Sequence, residues 1–174
     1  MIPEWIEELK ALLGDCVCTD EATLQAHAGD KWHAAALPQA VVLATETEHV
    51  STALKFAHER GIPVTPRGAG VGYVGGCVPV RGGIVISVAR MIRILEVNPA
   101  DGVAVAEAGV LTADLQAACA EVGWFYPPDP ASRKESSIGG NIATNAGGPR
   151  CLKYGVTRAY VLGLTVVLAD GRVL

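Results

Sequence analysis

The apolar residues in the first half of the chain alternate between helical and strand-like spacing. Residues 3–13 place Trp5, Leu9, Leu12 and Leu13 on one helical face and precede Gly14, which predicts a helix. Thr45 and Glu48 form a capping-box pattern, after which helical spacing continues to Gly61. Short apolar runs predict buried strands at 40–45, 62–65 and 83–87. A strand, a helix and a strand in this order form a βαβ unit, which favours parallel pairing.

The second half of the chain changes to short strands and more turns. Strands are predicted at 92–97 and 102–109, joined by a turn at 98–101. Thr112 is positioned to cap a helix that ends at Gly123. The predicted apolar face of that helix comprises Leu115, Ala118, Cys119 and Val122.

The last stretch, 160–174, predicts a hairpin that turns at Asp170 and Gly171. The chain stops at Leu174, inside the second predicted strand. Domain boundaries fall in exposed linkers rather than within strands, so the sequence predicts a piece of a longer protein.

Composition and charge narrow the class of protein. Hydrophobic residues make up 50% and charged residues 18%, a balance typical of a packed globular chain. The net charge of −4 does not favour a nucleic-acid partner. No apolar run approaches the roughly 20 residues that a membrane-spanning helix needs. The acidic, amphipathic N-terminus does not resemble a signal peptide, so we expect a cytoplasmic protein without a transmembrane segment.

The cysteines do not follow a metal-binding pattern. They are Cys16, Cys18, Cys77, Cys119 and Cys151, with no C-x-x-C pair among them. In a cytoplasmic protein this spacing predicts free thiols and no metal site.

A dense glycine cluster follows the strand predicted at 62–65. The stretch TPRGAGVGYVGGCVPV holds five glycines within nine positions. Gly70, Gly72 and Gly75 satisfy the G-x-G-x-x-G spacing of Rossmann loops, which requires a helix directly after the loop. Pro79 and the glycines around it oppose such a helix, so a nicotinamide-binding Rossmann domain is the less favoured alternative. No Gly-Lys-Ser/Thr occurs, which excludes a Walker A loop.

A glycine loop can also bind phosphate without a helix. Successive backbone N–H groups form a concave nest for an anion, and glycine permits both the dihedral angles and the close approach. Arg67, at the start of the loop, would add a positive charge. We therefore predict a phosphate-binding loop, against the alternative of a plain surface loop with an unpaired arginine.

A second cluster, SSIGGNIATNAGG at 136–148, is almost free of large side chains. Its spacing predicts a short helix that starts at Ser136 or Ser137 and has one bare side. Such a side packs either against another helix or against a planar ligand, and the residue pattern leaves both open. Asn and Thr side chains nearby can bind the edge of a heterocycle. Together with a phosphate-binding loop, this favours a large nucleotide as the ligand.

These two motifs resemble a known family. The stretches TPRGAGVGYVGG and YPPDPASRKESSIGGNIATNAGGPRCLKYGVT are similar to the FAD-binding domain of the vanillyl-alcohol oxidase type, also called PCMH-type. They resemble in particular the FAD-binding subunit of glycolate oxidase and related FAD-linked D-2-hydroxy-acid dehydrogenases. The similarity runs from about Pro38 to Leu174.

The resemblance implies an α+β fold of two α/β lobes that hold FAD between them. One is a small parallel βαβ lobe, and the other is a mixed or antiparallel sheet flanked by helices. Residues 1–37 would be an N-terminal helical segment and residues 38–174 the FAD-binding domain, truncated before the C-terminal cap and substrate domain of the family.

The resemblance also carries cofactor-binding residues onto this chain. The glycine loop would hold the FAD pyrophosphate, and the Pro-Asp and S-x-G-G-N region would line the rest of the cofactor. The residues assigned in this way are Pro66, Arg67, Gly68, Ala69, Gly70, Val71, Gly72, Gly109, Pro128, Asp129, Ser137, Gly139, Gly140, Asn141, Thr144 and Gly147. Val71 stands where some members carry a flavin-linking histidine, so the resemblance implies non-covalent FAD. The histidines lie outside both motifs and are expected on the surface or on helices, at His27, His33, His49 and His58.

The activity implied is that of a flavin-dependent oxidoreductase that oxidises a small 2-hydroxy acid, glycolate or D-lactate, to the 2-oxo acid. Catalytic side chains in the family come largely from the cap domain, so none is assigned here and the chain alone is expected to be inactive. Expected partners are the hydroxy acid and oxidase subunits with flavin or iron–sulfur groups, which could hold the protein at the inner membrane face. The alternatives are a non-catalytic FAD-binding module and, less favoured, the Rossmann domain or a UDP-sugar reductase on the same flavin fold.

Overall fold

The computed structural model describes residues 3–32 and 34–174, so His33 lies outside the described residues. The described chain forms two compact units. The first unit comprises the residues up to Arg90 together with Thr165–Leu174, and the second unit comprises Met91–Leu164. In chain order the elements are α1 (Trp5–Leu13), β1 (Val17–Cys18), α2 (Glu21–Ala26), β2 (Ala40–Leu43), α3 (Thr47–Arg60), β3 (Val64–Arg67), β4 (Ile84–Ser87), β5 (Ile94–Asn98), β6 (Val103–Ala106), α4 (Thr112–Glu121), α5 (Ile138–Thr144) and α6 (Cys151–Tyr154), with 3₁₀ turns at Gly14–Cys16 and Thr157–Tyr160.

A four-stranded sheet in the order β1-β2-β4-β3 forms the centre of the first unit. Strands β2 and β3 both run parallel to β4, and the short β1 runs antiparallel to β2. All four residues of β4 are buried, as its continuous apolar run indicates. The predicted parallel pairing is confirmed, although β4 lies between the two strands of the βαβ unit.

Helix α1 packs into the same core as this sheet. Its buried residues Ile6, Leu9 and Leu13 join a cluster with β2, β4 and α3. The predicted helix is confirmed, and Gly14 follows it with a φ of +54°. Leu12, placed on the apolar face by the sequence, is instead 59% exposed. The domain boundary after residue 37 stays a prediction.

The start of α3 corrects one prediction. The helix begins at Thr47 without a side-chain cap, so the capping box of Thr45 and Glu48 is wrong. The hydroxyl of Thr45 lies 3.1 Å from Nδ1 of His49 instead, a partner that the capping-box pattern does not consider. The end of the helix is confirmed, because Gly61 adopts a left-handed φ of +62°.

The second unit contains the antiparallel pair β5 and β6 and the helices α4, α5 and α6. The turn between the two strands is confirmed. Within it, the side-chain oxygen of Asn98 accepts hydrogen bonds from the N–H groups of Ala100 and Asp101. The predicted cap at Thr112 is wrong, because Leu111 occupies the N-cap and Thr112 is the first helical residue. The predicted burial of Val122 is also wrong, since this side chain is 41% exposed.

The hairpin near Leu174 forms only close to its turn. Val167 bridges Val173, and Gly171 has a φ of +87°, so the predicted turn is confirmed. The predicted strand does not begin at Tyr160, which ends a 3₁₀ turn. Among the described residues, no helix is long and apolar enough to cross a membrane. The five cysteines are free.

Candidate cofactor-binding site

The chain between β3 and β4 forms turns and contains no helix. The Rossmann alternative is therefore wrong for this loop, because that motif places its phosphate at the N-terminus of a helix directly behind the glycines. Gly70 and Gly75 adopt φ values of +73° and +74°. Residues with a side chain rarely adopt these angles, which explains glycine at these two positions.

The stretch from Gly68 to Val74, here called the cradle, has seven consecutive backbone N–H groups without a hydrogen-bond partner among the described residues. The backbone from Gly68 to Val71 is half-buried. Buried donors are normally paired, so unpaired donors in the half-buried residues Gly68 to Val71 are unusual, whereas those of Gly72, Tyr73 and Val74 are open to water. A Cβ atom added at Gly72 would meet no atom within 4 Å. Free donors beside open space are what an anion nest requires.

The guanidinium of Arg67 is bonded within the protein. Its Nη1 donates to the carbonyl of Gly29 at 2.6 Å, and its Nη2 donates to the carbonyl of Ala26 at 3.3 Å. A Cβ atom at Gly70 would collide with this guanidinium. The unpaired arginine of the plain-loop alternative is therefore wrong, because Arg67 ties the start of the cradle to an earlier part of the chain.

Residues 26–32, here called the brace, also bind the other end of the cradle. The N–H of Lys31 donates to the carbonyl of Gly72 at 3.1 Å. The carboxylate of Asp30 accepts from the N–H of Gly75 and from the N–H of Trp32, each at 2.8 Å. These bonds, first that from Trp32, hold the pKa of Asp30 below its usual value, so the group stays charged near neutral pH.

Sequence reasoning missed the brace. Its contacts join residues about 40 positions apart, such as Asp30 and Gly75. The only local signal is Asp30 itself, because Asp frequently accepts a backbone N–H two residues further on, as it does here from Trp32.

The start of α5 presents its donors inward. Ser137 is the N-cap, as predicted, and its Oγ accepts from the N–H of Gly140 at 3.3 Å. The N–H groups of the two residues between them donate to the carbonyls of Val110 and Ala108, both at 2.8 Å. The donors at this helix start are therefore used within the protein.

The two glycines of α5 have different surroundings. A Cβ atom on Gly139 would lie 2.8 Å from the Cβ of Ala108, so this side of the helix packs on backbone. At Gly140 an added Cβ would meet only the Ser137 hydroxyl, at 3.1 Å. Gly139 therefore packs on a turn and not on the other helix that one alternative requires, and the ligand alternative at Gly140 stays a prediction. Gly109, in the turn against Gly139, is buried and donates its N–H to Met91.

The polar side chains of α5 divide in the same way. Asn141 is 3% exposed, and its Nδ2 donates to the hydroxyl of Thr112 at 2.6 Å. That hydroxyl donates to the carbonyl of Ser136 at 3.0 Å, which completes a buried network. Thr144 is exposed and donates to the carbonyl of Gly140. Asn141 therefore supports the helix from inside, and Thr144 lies on its open face.

The segment before α5 is also closely packed. The carbonyl of Pro128 accepts from Nε2 of Gln116 at 2.8 Å. Asp129 is buried with ion pairs to Arg133 at 3.4 Å and Arg150 at 3.3 Å, and its Oδ1 has no hydrogen-bond partner among the described residues.

Glycines after α5 are required by close contacts. A Cβ atom on Gly147 would lie 2.8 Å from the sulfur of Cys151, and one on Gly148 would collide with the carbonyl of Asp129. These positions need glycine for packing alone.

Two titratable groups in the second unit have shifted pKa values. Hydrogen bonds from the Arg93 side chain lower the pKa of Glu107, which also accepts from the Arg93 N–H at 2.7 Å. Burial raises the pKa of Tyr126 to about 12, so its hydroxyl stays protonated near neutral pH. No cluster of metal-binding side chains occurs among residues 3–32 and 34–174.

The residues assigned to the cofactor fall into two groups. In the first unit, Pro66 and Arg67 end strand β3, and the residues from Gly68 to Gly72 lie in the loop that follows it. The other members lie in the second unit: Ser137 to Thr144 in α5 and its N-cap, Gly109 in the turn against Gly139, Pro128 and Asp129 before the helix, and Gly147 after it.

A family model described as "FAD binding domain" matches residues 38–174. The chain is 46% identical over 138 residues to glycolate oxidase subunit GlcD of Bacillus subtilis, an alignment that covers 79% of this chain and 29% of that protein. It is 41% identical over 173 residues to a D-lactate dehydrogenase of Anaerostipes hadrus, covering 98% of this chain and 36% of that protein. The chain thus spans about a third of the length of these curated relatives.

The fold also matches solved structures. That of an alkyldihydroxyacetonephosphate synthase superposes with a TM-score of 0.88 at 27% identity. The match covers 100% of this chain and 38% of that one.

Proposed function

The chain belongs to the FAD binding domain family, and from this premise we propose that the cradle holds the diphosphate of a non-covalently bound FAD. The observation that carries the proposal is the run of N–H groups from Gly68 to Val74 that have no partner among the described residues. A diphosphate presents several acceptor oxygens and negative charge, and backbone donors bind both without a cationic side chain.

The residues present fit such a group. Glycine at position 72 leaves open space where a side chain would stand. The guanidinium of Arg67 lies beneath the loop and fixes its start, so its positive charge is held near the cradle while its Nη atoms bond to the brace. We therefore assign Arg67 to positioning the donors rather than to a direct bond with phosphate.

The second group of residues has a divided role in this proposal. Gly140 and Thr144, on the open face of α5, would lie against the cofactor. Ser137, Gly139 and Asn141 would support that face, because their contacts are already made within the protein. The proposed site also includes the residues around these two groups, which are Gly109, Pro128, Asp129 and Gly147.

We propose that the whole protein oxidises a small 2-hydroxy acid to the 2-oxo acid. FAD, when bound, would supply the acceptor for the hydride, which carries two electrons from C2 of the hydroxy acid, while the hydroxyl proton leaves to a base or to solvent. The support is the similarity to a glycolate oxidase subunit and to a D-lactate dehydrogenase. This chain's part is to bind and orient the cofactor. We also propose that the protein is cytoplasmic and that partner subunits receive the electrons.

The test of this activity is anaerobic reduction of the bound flavin. The protein, produced with any coding sequence that follows Leu174, is mixed with glycolate, D-lactate or L-lactate while the visible flavin absorbance is recorded. Bleaching by glycolate or D-lactate and not by L-lactate is the expected result. Flavin that binds but is bleached by none of a panel of hydroxy acids would favour a non-catalytic module instead.

A further inference from the structure

The cradle is held in shape by residues that precede the region matched by the family. The match begins at residue 38, whereas the brace comprises residues 26–32. We infer that the brace is part of the cofactor site, and that Asp30 is a positioning residue that keeps the cradle open for diphosphate. This inference rests on the proposed function.

The brace is hydrogen-bonded to the loop at three places along the chain. Arg67 binds the carbonyls of Ala26 and Gly29 just before the cradle begins. The Lys31 N–H holds the carbonyl of Gly72, within the cradle. Asp30 holds the N–H of Gly75, one residue after the cradle ends. The free donors thus span a segment that is fixed before, within and after it.

Asp30, like Arg67, makes charge-assisted bonds, and its carboxylate also joins two backbone N–H groups that lie 43 positions apart, those of Trp32 and Gly75. One oxygen accepts from Trp32 within the brace, and the other accepts from Gly75 in the loop, so one side chain fixes both partners. Glycine backbones lose the most conformational freedom on ordering. Without the Asp30 contact, a loop with five glycines in nine positions would populate many shapes.

The population of the open shape then sets the apparent affinity. When only a fraction of molecules has a binding-competent loop, the apparent dissociation constant rises in inverse proportion to that fraction. A tenfold loss of the ordered loop therefore weakens FAD binding about tenfold. Because Gly72 to Val74 are exposed, we expect the core of the unit to change little.

The experiment compares Asp30→Asn and Asp30→Ala with the unchanged chain, each produced with any coding sequence that follows Leu174. Asn keeps one acceptor and Ala keeps none, so FAD affinity should fall about tenfold for Asp30→Asn and further for Asp30→Ala, as followed by flavin fluorescence. The control is Asp170→Asn, because Asp170 also accepts a backbone N–H in a turn of the same unit, that of Arg172. It should leave FAD affinity unchanged.

Two further readouts do not need the cofactor. Amide exchange measured by NMR should show Gly75 protected in the unchanged chain and unprotected in Asp30→Ala. The N–H of Gly76, which has no partner among the described residues, is the internal reference. Urea unfolding should give nearly the same free energy for all variants. A large loss of stability that parallels the loss of affinity would overturn the positioning role, because Asp30 would then act through the fold.

The outcomes separate this inference from the proposed function. If the unchanged chain does not bind FAD, the proposed function fails and the inference falls with it. If the unchanged chain binds FAD and Asp30→Ala binds equally well, only the inference is contradicted.

Discussion

The two glycine-rich segments have similar compositions and opposite uses of their backbone. The cradle leaves the N–H groups from Gly68 to Val74 without partners among the described residues. At the start of α5, the corresponding donors bind Val110, Ala108 and the Ser137 hydroxyl. Glycine in the cradle keeps donors accessible, whereas Gly139, Gly147 and Gly148 permit close packing. Glycine density alone therefore does not identify a binding loop; the pairing of the backbone does.

Gly148→Ala should have the largest effect on stability, because Gly148 is needed for close packing. The added Cβ would collide with the backbone carbonyl of Asp129, which cannot move without displacing the chain before α5. We expect the free energy of unfolding to fall by about 3 kcal/mol in urea titrations. Gly76→Ala is the control, since its Cβ would meet no atom within 4 Å, and it should change stability by at most about 0.5 kcal/mol. Equal effects would contradict the division between the segments.

Gly70→Val should have the largest effect on the cofactor, with the fold retained. The new side chain would strike the Arg67 guanidinium, and the φ of +73° is unfavourable for a β-branched residue. We expect FAD affinity to fall at least about 100-fold, because both the donors and their support are displaced. Gly76→Val serves as the control, and far-ultraviolet circular dichroism checks the fold. Unchanged affinity in Gly70→Val would remove the cradle from the site.

Asn141→Ala should lower stability more than it lowers FAD affinity. It leaves the buried Thr112 hydroxyl without its donor, which costs about 1–3 kcal/mol. Thr144→Ala, on the exposed face of the same helix, should change stability by at most about 0.5 kcal/mol. Thermal unfolding and FAD titration of both variants measure the two effects. A pure affinity loss in Asn141→Ala would mean that this side chain binds the cofactor directly.

Glu107→Gln should have the smallest effect, visible as a change in pH dependence. The Arg93 bonds lower the pKa of Glu107 in the folded chain, so the stabilisation is present above the unfolded pKa and disappears as pH falls through the folded one. The stability difference between the unchanged chain and Glu107→Gln should therefore be greatest near neutral pH and vanish in acid. Urea midpoints across this pH range measure it. A difference that persists in acid would contradict the assigned cause.

Element positions were predictable from sequence where the signal is local. Apolar spacing located α1 and β4, and Gly61 marked the end of α3. The two predicted helix caps were wrong because each hydroxyl bonds to a partner that the local pattern does not indicate. Thr45 meets His49, and Thr112 meets Ser136, which is 24 residues away.

The site divides along the same line. The glycine density of the cradle is a local feature, and it predicted a loop with accessible donors. The brace and the internal use of α5 depend on pairs distant in sequence, such as Asp30 with Gly75 and Gly139 with Ala108. No local pattern encodes those contacts, so sequence alone gave Asn141 and Thr144 the same role although they differ in burial.

Amide chemical shifts measured during an FAD titration test the central claim most directly. Each backbone N–H in the cradle and in α5 gives its own signal, so the two segments are compared in one experiment. The account predicts saturable downfield shifts that are largest from Gly68 to Val74, because those donors gain acceptors, and smaller shifts from Ile138 to Asn141, whose donors are already bonded. NADH should produce no saturable shifts in the cradle or in α5. Largest shifts in α5 with an unchanged cradle would contradict the account.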